Sequence, residues 1–231
     1  TAASQMFPNL STYGWGRVTA GSPTPTENTT AARRRFETAG VELNYIQSGG
    51  TDSCLAFADF RCLSGGSVLN TAVGMQVRAD VGSNTFVEVE VYARPDSLRV
   101  KYAGGSTLAT ASVDMQEFMQ VMVCIESARR VEVYYKRPYE TAWTSFYQDA
   151  RPTTNSPSVL SPTSTSGAIF RWGHCDASTS LTEWRFAGFA ARPSPASRPA
   201  QRDRRSTPPP TPLAPPQRPG APLPALPPPH A

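Results

Sequence analysis

The 231-residue chain carries 22 Lys and Arg against 18 Asp and Glu, a net charge of +4, and its last 40 residues, Arg192 to Ala231, hold 15 of its 23 prolines. Six arginines against Asp203 give that end +5 and leave residues 1–191 at −1, which excludes a folded domain that binds nucleic acid through overall basic charge. No stretch is long and apolar enough to be a membrane-spanning helix, and a chain opening on Thr1 reads as one that has lost a leader or as a fragment.

In chain order, an early strand is predicted near Thr12 to Thr19, with Met6, Phe7, Tyr13, Trp15 and Val18 its apolar residues. Gly21 to Thr30 reads as loop from its Pro, Thr and Asn content, and Ala31 to Arg35 as at most one helical turn. Strands follow over Phe36 to Ile46, Leu55 to Phe60 and Thr71 to Val81, separated by Ser48-Gly49-Gly50 and Gly65-Gly66. From Thr85 to Lys136 apolar residues alternate almost without break: Val87, Val89 and Val91; Leu98, Val100 and Tyr102; Met119, Val121, Val123 and Ile125; Val131, Val133 and Tyr135. A period of two puts these side chains on one face, so the runs predict antiparallel strands with one buried face and one wet face. Thr141 to Phe146 is a further strand, Arg151 to Gly167 a long loop and candidate working edge, and Ala168 to Trp172 and Leu181 to Phe189 are two closing strands.

About ten strands favour two packed sheets over one open sheet. The expected fold is therefore all-β: a two-sheet antiparallel β-sandwich of the jelly-roll type over residues 1–191, followed by a disordered proline-rich basic tail over 192–231. The tail reads as an extended spacer, its PxxP spacings being those that dense proline produces readily.

Among the four cysteines, Cys54 and Cys62 are close enough in sequence to close a small loop and form the expected disulfide in an oxidising compartment, with four free thiols as the equal alternative. Asn9-Leu10-Ser11 and Asn28-Thr29-Thr30 match the glycosylation sequon, which has meaning only for a secreted chain. Glu88 and Glu90, with Glu132 nearby, share the face opposite the valines, which alternation alone explains as a solvated sheet face. Arg33-Arg34-Arg35 and Arg129-Arg130 are candidates for an anionic glycan or polymer, against the simpler reading of solvated turn charges.

Two clusters remain as candidate binding residues. His174 and Asp176 flank Cys175 on what reads as a turn after Trp172, where Asp176 could serve a calcium ion. Tyr139, Trp143 and Tyr147 follow Pro138; aromatic rings stack on the apolar faces of sugars while polar neighbours bond the hydroxyls. Phe86, Tyr92 and Tyr134 point away from the valines and join this aromatic set, for which packing in a second buried face is the simpler reading.

The run Thr85-Phe86-Val87-Glu88-Val89-Glu90-Val91, then Ser97 to Lys101, Phe118 to Glu126, Val131 to Tyr135, Ile169 to Gly173 and Trp184 to Phe189, resembles the concanavalin A-like, or laminin G-like, jelly-roll superfamily over about residues 35–191. That resemblance implies two curved antiparallel sheets, binding of carbohydrate or protein through loops or a concave face, and calcium in some members. Its hydrolase branch carries Glu-x-Asp-x-Glu; here Glu88-Val89-Glu90 is followed by Val91 and Tyr92, so the third acid is missing.

The expected function is a non-catalytic binding or adhesion module, with carbohydrate the first ligand class to test. The alternative is a structural or assembly protein of a virion or surface appendage, and a glycoside hydrolase comes third. The expected partners are a glycan or protein surface, or further copies of the chain, with no specific nucleic acid; the expected setting is extracellular, cell-surface or virion.

Overall fold

A computed structural model describes residues 10, 14–22, 24–30, 33–50, 52–65, 73–160 and 167–192, without the side chains of 176–178 and 192. Met6, Phe7, Tyr13, the first sequon asparagine and the proline-rich segment lie outside the described residues.

Twelve strands form: β1 Gly16–Ala20, β2 Thr26–Thr29, β3 Arg34–Gly49, β4 Ser53–Ser64, β5 Val73–Gly82, β6 Thr85–Arg94, β7 Ser97–Tyr102, β8 Thr107–Ser112, β9 Met119–Glu126, β10 Arg130–Lys136, β11 Thr144–Asp149 and β12 Ala168–Arg192. All pair antiparallel, in one continuous sheet of order β11-β10-β9-β4-β12-β5-β6-β7-β8, with β3 alongside β12 and β1 and β2 on β3.

The expected two-sheet sandwich is therefore corrected to a single, nearly closed β-barrel sheet. The reason lies in β12. Gly173 to Ser180, rich in small and polar residues, reads as a turn between two strands, yet the chain runs through it for 25 residues. A register shift between His174 and Ser178 bends the strand without ending it. Gly173 takes φ 120° there, and a Cβ at this position would stand 2.7 Å from the Leu43 carbonyl oxygen, so only glycine fits the bend. Before the bend β12 pairs with β5, beyond it with β4, and β3 follows its other edge from Ala168 to Trp184. What would be two separate layers is thus joined through one hydrogen-bonded ribbon, and the end strands β8 and β11 approach each other.

Core residues come from both arms of the sheet. Val77, Val89, Val100, Val121, Val123 and Val133 are fully buried, as the alternation requires. Trp184 stacks on Phe60 at 4.3 Å, Trp172 on Tyr45 at 5.1 Å, and Trp15 meets Phe170 edge-on at 5.5 Å, filling the interior with large apolar area.

The early strand is shorter and later than expected, and β2 forms where loop was expected. A carboxylate holds β2: Glu27 accepts from Tyr45 Oη at 2.7 Å and Arg17 Nε at 3.0 Å, and also pairs with Arg34. Burial and then the Glu27 hydrogen bond push the Tyr45 hydroxyl up to about 12. Arg34 and Arg35 begin β3 instead of a helical turn.

Candidate functional site

The sequence-predicted binding residues do not form one site. Tyr139 stands at the β10–β11 turn, 77% exposed. Trp143, just before β11, is half-buried edge-on to Phe57 at 6.0 Å, with Lys136 Nζ 5.2 Å above its ring. Tyr147 turns the other way: its ring meets Tyr102 at 6.3 Å and its hydroxyl donates to Asp149 at 3.2 Å. His174 is fully buried, with Nδ1 2.7 Å from Thr38 Oγ1 and Nε2 2.8 Å from Thr182 Oγ1, and burial drives its pKa down to about 3. It is a neutral, satisfied core histidine. The side chain of Asp176 lies outside the described residues.

Several expectations are corrected by burial. Glu88 and Glu90 are buried, not solvated. Glu88 accepts from Asn155 Nδ2 at 2.7 Å and Val159 N at 3.0 Å, and from Ser158 Oγ. Glu90 meets Gln76 Nε2 at 2.7 Å and Lys101 Nζ at 2.6 Å. Within the described part of the long loop, Asn155, Ser158, Val159 and Leu160 are thus fastened over Glu88. Phe86 and Tyr92 are buried, as the core-packing reading of these aromatics has it, Phe86 beneath the Arg78 guanidinium at 4.6 Å.

Cys54 and Cys62 are free and lie on one extended strand, β4. Eight residues of strand separate them by roughly 26 Å, far beyond the span of about 7 Å a disulfide can bridge. For calcium, no group of three or more His, Cys, Asp and Glu side chains converges among the described residues, so these residues do not fit a side-chain metal site.

What the structure does assemble is the outer face of β10, β9, β4 and β12. Register places Glu132, Cys124, Leu55 and Ala190 in one row, and Tyr134, Met122, Phe57 and Gly188 in the next. Side chains in such rows face outward because their neighbours Cys54, Ala56 and Ala58, and Val121, Val123 and Ile125, face the core. Leu55 is 41% exposed, and Phe57 is held edge-on by Phe186 at 5.3 Å as well as by Trp143. At one end of this face opens a cavity of about 540 Å³ whose lining includes Leu55, Cys124, Ala190, Glu126, Arg130 and Glu132. Arg130 reaches Glu126 at 3.6 Å and Glu132 at 3.5 Å, so the cavity has an apolar floor and a charged rim. Burial, then the Glu132 carboxylate, push the Cys124 thiol up, which makes it a poor nucleophile.

At the other end of the same face Glu183, 2% exposed, receives Arg33 Nη1 at 3.1 Å, Arg61 Nη2 at 2.7 Å and Arg35 Nη1 at 3.9 Å. Arg185 pairs with Asp59 at 2.9 Å, and the Arg61 and Arg185 guanidinium carbons lie 4.9 and 3.9 Å from the Phe118 ring centre. Sequence reasoning named Trp143 and the Arg33–Arg35 run but missed Leu55 and Phe57. Their signal was present in the alternation of Leu55, Phe57, Asp59 and Arg61 with small core residues.

No protein-family model and no curated protein sequence matches the chain. Among solved structures, a conserved carbohydrate esterase from the Shiga toxin-encoding bacteriophage phi24B is 14% identical, with 81% of this chain and 94% of that chain covered at a TM-score of 0.52. A functionally unknown Saccharomyces cerevisiae protein is 12% identical, with 77% and 97% covered at 0.47. The calcium-bound exoplasmic/lumenal domain of VIP36 is 11% identical, with 80% and 88% covered at 0.40. Likeness at these identities concerns the fold alone. Among the described residues no helix is long and apolar enough to cross a membrane.

Proposed function

We propose that the barrel is a non-catalytic binding or adhesion module that takes carbohydrate on the outer face of β10, β9, β4 and β12. The observation that carries this reading is the juxtaposition of exposed Leu55 and the half-buried aromatic pair Phe57 and Trp143 with an open cavity rimmed by Glu126, Arg130 and Glu132. Sugar rings present apolar C–H faces and hydroxyl edges, so such a surface offers stacking and hydrogen bonds together. Trp143 borders this surface from the β10–β11 hairpin. Both rim carboxylates, Glu126 and Glu132, are bridged to Arg130. The setting proposed with this function is extracellular, cell-surface or virion, and the exposed sequon residue Asn28 on β2 supports it.

A glycan array, run with and without calcium, tests the reading. Saturable binding that Phe57→Ala and Trp143→Ala weaken is expected. Absence of glycan binding together with a concentration-dependent oligomer would favour a structural, assembly role.

A further inference from the structure

We infer that the ligand of this face is an acidic oligosaccharide, with its carboxylate or sulfate groups held by Arg33 and Arg35; the inference rests on the carbohydrate reading above and specifies its charge. Along β4 the outward residues are Leu55, Phe57, Asp59 and Arg61. At 3.3 Å per residue they span about 20 Å. One end of that track is the cavity, the middle is the Phe57–Trp143 aromatic pair, and the far end is the arginine cluster.

The far end is unbalanced. Four arginines, Arg33, Arg35, Arg61 and Arg185, pair with two carboxylates, Glu183 and Asp59, and one further acid, Glu37, stands two residues from Arg35 on the same face of β3. Arg61 and Arg185 spend their forks on those acids and on the Phe118 ring, which fixes them. Arg33 and Arg35 are different: their side chains are 49% and 45% exposed, and each touches Glu183 through one nitrogen. A guanidinium carries five donors in a planar fork, so most of theirs remain directed to solvent. Two half-anchored forks over a single buried carboxylate suit an incoming planar or tetrahedral oxyanion. Residues 1–191 as a whole are net −1, so this excess is local and is not a by-product of general basicity.

The test measures binding of the full chain to oligogalacturonate, to a sulfated heparin fragment and to neutral maltohexaose, with a polyglutamate peptide as a charge control. Both acidic sugars are expected to bind at least about tenfold tighter than the neutral one, and to weaken as salt is raised. Arg33→Gln with Arg35→Gln should bring acidic binding down to the neutral level, leaving neutral binding unchanged. Arg35→Lys, which keeps charge but not the fork, should retain part of the preference. Equal affinity for acidic and neutral sugars, or acidic binding that survives the double variant, overturns this inference alone. Binding of polyglutamate as tight as that of the acidic sugars overturns its carbohydrate part, and failure of every sugar to bind overturns the underlying reading as well.

Discussion

Tyr102 on β7 donates a hydrogen bond of 2.6 Å to Asp149 on β11, and Tyr147 donates to the same carboxylate, so side chains fasten the two arms of the sheet where backbone pairing stops. Tyr102→Phe should lower stability by about 1–2 kcal/mol, read as a lower thermal midpoint. The Tyr102 hydrogen bond, chief among several causes, holds Asp149 below the usual carboxylate range. A carboxylate so depressed stabilises the fold above its unfolded pKa, and that contribution disappears as pH falls through the folded value. In Tyr102→Phe this acid-side loss should shrink.

His174 makes a second pH dependence of opposite chemistry but the same direction. An unfolded histidine protonates near 6.5, whereas the buried one holds out to about 3. Between these values the unfolded chain gains a proton the folded chain refuses, so stability falls as pH drops, at up to roughly 1.4 kcal/mol per pH unit. Denaturant midpoints from pH 7 to 4 should show this slope, and His174→Gln should flatten it below pH 6.5.

Trp184 lies stacked on Phe60 at the centre of the apolar interior. Trp184→Leu keeps an apolar side chain but leaves a void, and Trp184→Ala should cost about 3–5 kcal/mol. Urea titration measures both, with the leucine variant expected between wild type and alanine.

Glu88 fastens residues 155–160 to β6 and faces the buried Arg78. Glu88→Ala removes a buried acceptor of several donors beside a buried cation, and should cost about 3 kcal/mol or more. Limited proteolysis should then cut within residues 151–160 faster than in wild type.

Alternation made the strands from Thr85 to Lys136 legible, because valines at every second position have no other regular use. Two features were hidden. β12 carries glycine, serine and threonine where it bends, and its polar residues are satisfied by partners remote in sequence, such as Thr38 for His174. Nothing local distinguishes such a stretch from a turn, and with the turn assumed, two sheets followed. The candidate face was half legible: Trp143 stood out by size, but Leu55 and Glu132 fall in one row only through the register of β4, β9 and β10. The buried acids Glu88 and Glu90 misled for the converse reason, since the loop and lysine that cover them are set by topology and not by spacing.

Chemical-shift mapping of the labelled full chain during titration with maltohexaose and with oligogalacturonate tests the proposed recognition face most directly. Saturable shifts at the Trp143 indole and at the Leu55, Phe57 and Cys124 amides, joined by Arg33 and Arg35 for the acidic sugar, are the predicted result. Shifts confined to β5, β6 and β7, or none that saturate, would contradict it.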